Sequence, residues 1–158
     1  PSGARVYEVR LMGSESAGLV VELDESACWG LLRSAEVGRL AVVVNHRTEI
    51  FPINFVVDHA TVVFRTAAGT KLDWAAGRDV AFEVDGYEPD SGVAWSVVVK
   101  GLAREVKGMY EALDALELPL FPWHTSAKPH IIRIEPDQVT GRRFKVADRP
   151  ARHPVHEG

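Results

Sequence analysis

The segment Phe64-Arg65-Thr66-Ala67-Ala68-Gly69-Thr70-Lys71-Leu72 concentrates more chemistry than any other stretch of the chain. A strand-like run ends on a cation and a hydroxyl, a glycine permits an unusual turn, and a helix-like run opens on a second hydroxyl and a second cation. Helix N-termini carry unpaired N–H groups and a partial positive charge, so such a junction suits a phosphate. Arg65 and Lys71 would add charge-assisted hydrogen bonds, and a guanidinium can grip two oxygens at once. The spacing is not that of a Walker loop, because position 64 is phenylalanine and Lys71 does not directly follow Gly69. The plainer alternative is a solvated arginine at a strand end, with Thr70 acting only as a helix cap.

Other reactive residues are scattered. His46 and His59 fall in expected turns, His124 and His130 flank a loop, and His153 and His156 belong to the last residues of the chain. Without cysteine partners or an H-E-x-x-H pattern, no metal site is expected. Cys28 lies on the apolar face of an expected helix, which points to burial and not to nucleophilic work. Ser26, Ser91 and Ser96 lack a G-x-S-x-G context, which argues against a hydrolase. Arg142, Arg143 and Lys145 suit a solvated or interface face.

The rest of the chain must position these groups. Its 158 residues, 46% hydrophobic and 25% charged, suit one globular domain and exclude collagen-like, coiled-coil or disordered classes. A net charge of -4 argues against a general nucleic-acid or anionic-membrane binder. Cys28 is the only cysteine, so no disulfide forms within the chain and a reducing compartment fits best. Pro1 to Arg10 has no apolar run, and Leu40 to Val44 is the longest aliphatic one. The expectation is a cytoplasmic protein with neither a signal peptide nor a membrane span.

Residues 1–18 are expected as an arm, 19–146 as the folded domain and 147–158 as a tail. Asp24 is a candidate N-cap for a helix carrying Cys28, Leu31, Leu32 and Ala35 on one face, with Gly38 as its stop or a bend into the next strand. Leu40–Val44, Glu49–Val57 and Thr61–Thr66 follow as a three-stranded meander, apolar enough on both faces to be covered. A short helix is expected over Thr70–Ala76. Val80, Phe82 and Val84 alternate with polar residues as a fourth strand, Gly86–Gly92 is a loop, and Trp95–Val106 is a long strand. A second helix is expected over Met109–Leu118, then a loop over Leu120–Lys128 and two closing strands, Ile131–Glu135 and Val139–Val146. The fold class is therefore mainly β: an antiparallel Greek-key-like barrel of six or seven strands with two or three short helices.

Five motifs in order carry a family resemblance: Gly38-Arg39-Leu40-Ala41; Phe51-Pro52-Ile53-Asn54-Phe55; Phe64-Arg65-Thr66 with Gly69-Thr70-Lys71-Leu72; Val80-Ala81-Phe82-Glu83-Val84-Asp85; and Trp95-Ser96-Val97-Val98-Val99-Lys100-Gly101. Together they resemble the pyridoxamine 5'-phosphate oxidase-like FMN-binding split barrels over roughly residues 20 to 146, and among these the short actinobacterial-type and nitroimidazole-resistance-like members. The resemblance implies a homodimer with FMN at its interface. It further implies that Arg65, Thr66, Thr70 and Lys71 hold the phosphate and ribityl chain. Pro52, Ile53, Asn54 and Phe55 match the strand along the flavin ring, and Trp95, Ser96 and Val97 match a strand beneath its edge. Trp123 matches a loop that a partner subunit contributes.

Read without the resemblance, Pro52 is an edge-strand proline or one beside a ligand, and Trp95 is a core or interface tryptophan or the wall of a flat site. Arg133-Ile134 and Gly141-Arg142-Arg143-Phe144 only loosely echo the substrate-phosphate residues of true pyridoxamine phosphate oxidases, so vitamin B6 oxidation is not expected. The expected function is an FMN-binding oxidoreductase or flavin reductase, with NAD(P)H or a small molecule as its partner. A variant using the deazaflavin F420 would draw on Lys100, Arg104 and Lys128. The alternative from another class is a non-enzymatic flavin- or haem-binding module. Backbone N–H groups of Ile53 to Phe55 are the expected stabilisers of negative charge on a reduced ring.

Overall fold

A computed structural model describes residues 6–8, 19–67, 69, 74–108 and 130–146. Along the chain run β1 (Val6–Glu8), β2 (Leu19–Leu23), α1 (Glu25–Arg33), β3 (Val37–Val44), β4 (Arg47–Asn54) and β5 (Val56–Asp58). There follow β6 (Thr61–Thr66), β7 (Arg78–Glu88), β8 (Val93–Glu105) and β9 (His130–Lys145).

The helix starts where its cap lies. The Asp24 carboxylate accepts from the Ala27 N–H at 2.7 Å, and Glu25 and Arg33 sit at the ends of the helix dipole that suit their charges. Cys28 and Leu32 are fully buried, as their spacing predicts. Trp29 joins them, with its indole N–H donating to Glu25 at 3.2 Å. Helix α1 ends at Ser34, whose hydroxyl donates to the Leu31 carbonyl at 2.7 Å. Gly38 is therefore not its stop but lies inside β3, where a β-carbon would meet the Phe82 ring at 2.2 Å.

Every strand pairing is antiparallel, in the order β1-β2-β9-β8-β7-β3-β4, with β6 also paired to β9 and β5 to β6. Asn45 and His46, both with positive φ, form the two-residue turn between β3 and β4, a geometry that matches strand twist. His59, with φ of 54°, turns β5 into β6. Strand β9 is the organiser: one edge carries β8, and the other carries β6 over its first residues and β2 over its last. A bulge, with Asp137 as the extra residue between Pro136 and Gln138, bends it against β8.

The sheet curls around a core in which Leu40, Phe64, Phe82, Val97, Ile132 and Ile134 are fully buried. Val63, Val106 and Ile131 form a second buried cluster. Strand β6 is thus buried on both faces, as its composition predicts. By contrast Val43, at the β3 hairpin end, is 57% exposed.

Several expectations need correction. The described residues hold nine strands, not six or seven, because β1 and β2 add to the sheet and the Glu49–Val57 run breaks in two, while the two closing strands merge into one. The Glu49–Val57 strand ends at Asn54, and Phe55 separates it from β5, so β3, β4 and β6 are not a simple meander. The two closing strands are one 16-residue strand, since the bulge absorbs Pro136 and Asp137 without ending the ladder. The loop expected from Gly86 is β-structure as far as Glu88, paired with Val93. Within the 1–18 arm, Val6–Glu8 pairs with β2. Helix Met109–Leu118, loop Leu120–Lys128, the 147–158 tail and most of helix Thr70–Ala76 lie outside the described residues.

Candidate functional site

Arg65 and Thr66 close β6, paired with Ile131 and His130 of β9. Arg65 is half-buried; Thr66 is 5% exposed, and its hydroxyl donates to the Ala67 carbonyl at 3.2 Å. Just beyond, Gly69 has φ of +124°, a region open in practice only to glycine, and among the described residues nothing but its chain neighbours lies within 4 Å of where its β-carbon would stand. A guanidinium, a strand end and a glycine-only bend thus follow one another along the chain here. Thr70 and Lys71, the helix half of the expected phosphate junction, lie outside the described residues, as does Trp123.

Pro52 to Phe55 approach the same end of the sheet. Pro52 is exposed on β4, a sheet edge, where its missing N–H costs no ladder bond. Ile53 and Phe55 point into the core, and Asn54 is half-buried with its amide donating to the Glu36 carbonyl at 3.4 Å. Val56 pairs with Val63, and β4 touches β6. Ile53 and Asn54 themselves pair with Gly38 and Val37 of β3. A cleft of about 310 Å³ opens between the end of α1 and the β4–β5 junction, lined by Arg33, Glu36, Asn54, Phe55, Val56 and Val57 among others, with Arg65, Thr66 and Gly69 outside its lining.

One expected donor is otherwise engaged. The Phe55 N–H donates to the Glu36 carbonyl at 3.2 Å. Because close and wide pairs alternate in an antiparallel ladder, the Ile53 N–H also turns toward β3, and the Asn54 N–H turns away from it. The run does not offer three successive amides to one ligand.

Trp95, Ser96 and Val97 sit elsewhere. Trp95 is 9% exposed and packs its indole against Gly86, where a β-carbon would lie 2.5 Å from the ring; Val97 is fully buried. Only Ser96, half-buried between Asp85 and Arg142, faces the outside of the sheet. Trp95 and Glu105 stand near opposite ends of β8, roughly 33 Å apart at about 3.3 Å per residue. Since Ile132 pairs with Glu105 and Arg65 with Ile131, one chain does not bring Trp95 to Arg65.

Two polar clusters near β6 were invisible to sequence spacing. Arg133, 9% exposed, donates to Asp58 and to Thr61, each at 2.7 Å, and this hydrogen bond holds the Asp58 carboxyl below the usual carboxylate range. His130 Nδ1 lies 2.6 Å from Glu105, holding that carboxyl down in the same way. Farther off, Arg39 pairs with Glu83 at 3.1 Å and with Asp85, while burial pushes the Glu83 carboxyl up. Cross-strand register creates all of these pairs, and only a correct strand alignment could have revealed them.

Among the described residues no group of three or more His, Cys, Asp or Glu side chains is placed to hold a metal, and no helix is long and apolar enough to cross a membrane. The sequence profile of the pyridoxamine 5'-phosphate oxidase family matches residues 24–143. The uncharacterized protein Rv0080 of Mycobacterium tuberculosis is 37% identical over 145 residues, 88% of this chain and 94% of that protein. Among solved structures, the FAD binding protein from Mycobacterium smegmatis is 40% identical with a TM-score of 0.70, covering 79% of this chain and 98% of its own. An FAD-binding protein from Mesorhizobium loti is 25% identical with a TM-score of 0.67, covering 78% and 97%. With its curled antiparallel sheet as the split barrel, the chain belongs to the pyridoxamine 5'-phosphate oxidase family.

Proposed function

We propose that this chain binds a flavin nucleotide and works, as a homodimer, as a flavin-dependent oxidoreductase or flavin reductase. The observation that carries the reading is the family match over residues 24–143, with β4 in contact with β6, the strand that ends on Arg65 and Thr66 before the Gly69 bend. The donor chemistry fits an anionic, flat ligand. Arg65 would grip phosphate oxygens, the bend at Gly69 would let backbone approach them, and the β4–β5 junction would flank the ring. FMN follows from the family resemblance, and FAD from the names of the M. smegmatis and M. loti relatives. Both carry a phosphate at the end of the ribityl chain, so Arg65 serves either.

When bound, a flavin supplies hydride transfer, and the protein supplies position, electrostatics and exclusion of water. Arg65 would fix the phosphate end and thereby the depth at which the ring lies. The apolar side chains of Val56 and Val57 would keep bulk water from one side of the cleft. Because Ser96 and Trp95 lie far along β8 from Arg65, a second copy of the chain is the means by which both ends would serve one cofactor.

The test is the absorption spectrum of freshly purified protein with and without FMN, FAD and F420, with mass analysis of any molecule released on denaturation. Flavin bands and a released FMN or FAD support the reading. Binding of F420 alone would move the assignment to the deazaflavin, and a colourless protein indifferent to all three would overturn it. Light scattering tests the dimer, and NADH or NADPH oxidation by the flavin-loaded protein separates an enzyme from a binding module.

A further inference from the structure

Ile50, Ala41, Ala81 and Lys100 stand side by side across β4, β3, β7 and β8, each the register partner of the next. Cross-strand partners share a face of the sheet, and so do alternate residues of one strand. Thr48 and Val43 therefore lie on that face beyond Ile50 and Ala41, and Asp79 and Leu102 lie on it beyond Ala81 and Lys100. The opposite face of these strands carries Leu40, Val42, Val80, Phe82 and Val99 into the core.

The outward face is apolar where solvent would call for polar groups. Ile50 is 62% exposed, Val43 57% and Leu102 43%. Ala41 and Ala81 are too small to fill the row between Ile50 and Lys100, and a groove of about 410 Å³ opens over them and Val43. Ile50 and Leu102 adjoin it as the cross-strand partners of Ala41 and Asp79. Tyr87 and Phe144, both exposed and both paired with Ala94, carry the same face on toward the start of β8. Monomeric proteins rarely leave so continuous an apolar surface in water.

The rim of the groove holds both signs of charge. Lys100 lines it together with Asp79 and Asp137, all three exposed, and none of them enters an ion pair among the described residues. A two-fold dimer sets one patch against itself, so a patch of a single sign would repel its own copy. A patch with a cation beside two anions satisfies itself: the ammonium of one copy meets the carboxylates of the other, and the reciprocal contact forms with it. The area is of the right order. Four strands about 4.8 Å apart and the eight residues of β3, at about 3.3 Å each, give a flat footprint of about 500 Å² before side-chain relief, against about 800 Å² per partner in a standard interface. The end bearing Tyr87 and Phe144 enlarges it.

We propose that a second copy of this chain packs on the outward face of β4, β3, β7 and β8, with Lys100 facing the partner's Asp79 and the partner's Asp137. The proposal rests on the homodimer of the flavin reading only for there being a second copy; the choice of face stands on the residues above. Pro52, next outward residue after Ile50, and Ser96, on the same side of β8 as Lys100, lie on this face too. The second copy thus covers the strands that carry two of the expected cofactor residues.

Two charge variants test the face by light scattering and sedimentation. Lys100→Asp, and Asp79→Lys combined with Asp137→Lys, each set like charges against one another at both halves of the contact, and each should weaken the dimer about tenfold or more. An equimolar mixture of the two should dimerise as the wild type does, because the mixed pair has one native contact and one with its charges exchanged. Val43→Ser with Ile50→Ser, which leaves every charge in place, should also weaken the dimer about tenfold or more. Circular dichroism melts check folding, and should a charge variant fail to fold, the serine pair decides alone. Variants that dimerise as the wild type does overturn the proposal and leave the homodimer on another face. A mixture as weak as its components overturns it too. A monomeric wild-type protein overturns the face and the homodimer together, whether or not a flavin binds.

Discussion

Arg133 of β9 and Asp58 at the end of β5 meet at 2.7 Å, in a site where the arginine is only 9% exposed. The same guanidinium nitrogen donates to Thr61 at 2.7 Å, so one side chain fastens both ends of the β5–β6 turn to β9. Charge-assisted bonds of this kind contribute about 1.5–3 kcal/mol. Asp58→Asn should lower stability by about 2 kcal/mol in urea denaturation, and Asp58→Ala by more, because it removes both the charge and the acceptor to which buried Arg133 donates.

Acid should act through the same pair. Arg133 holds the folded-state Asp58 carboxyl below its unfolded value, so the stability it contributes is present above the unfolded value and lost as pH falls through the folded one. Glu105 has the same sign, with His130 as its main cause. The wild-type melting temperature should therefore fall more steeply below about pH 4 than that of Asp58→Asn. Equal slopes would remove Asp58 from the account of acid unfolding.

Two glycine substitutions should move stability in opposite directions. At Gly101 a β-carbon would stand 2.1 Å from the Glu135 carbonyl oxygen, which is backbone at the bulge and has little freedom to yield. Gly101→Ala should cost about 1–3 kcal/mol or more. Gly30 is exposed inside α1 with nothing within 4 Å, so Gly30→Ala should gain up to about 1 kcal/mol from helix propensity. Paired thermal melts check both.

Asp24→Ala should lower stability by about 1 kcal/mol, since Ala27 loses its cap, and Asp24→Ser should restore most of it. A loss in both variants would point to the charge of Asp24 and not to its cap.

Removing the two expected phosphate cations tests the site without knowledge of a substrate. Arg65→Glu with Lys71→Glu should weaken FMN or FAD at least about a hundredfold, at roughly a factor of ten for each 1.4 kcal/mol of charge-assisted bonding. The far-ultraviolet circular dichroism should stay that of the wild type. Unchanged flavin affinity would remove both residues from the site.

The parts of the fold legible in the sequence were those fixed by local chemistry. Asp24 capped its helix, Asn45-His46 turned β3 into β4, and Val80, Phe82 and Val84 pointed inward, because each depends on residues close in the chain. The two closing strands are one because a bulge carries β9 through Pro136, a residue type that usually interrupts a ladder. Phe55 acts in the other direction, since a large apolar residue in an apolar run gives no sign that the strand breaks there. Within the candidate site, Arg65 and Gly69 could be singled out by type and spacing. The pairing of His130 with Glu105 could not, because it depends on two separate strand registers that no local pattern encodes.

Strand β9 has a consequence for synthesis of the protein. It is the last described strand, yet β2, β6 and β8 all hydrogen-bond to it. A nascent chain on the ribosome can form the β3–β4 and β7–β8 hairpins early, but it cannot close the sheet until about residue 145 has left the exit tunnel. Until then the pairing edges of β8 and β6 stay open to any other unfinished copy nearby. Contacts so distant in sequence also fold slowly. Mutations that weaken β9 should therefore show first as a lower yield of soluble protein, and only later as a lower melting temperature.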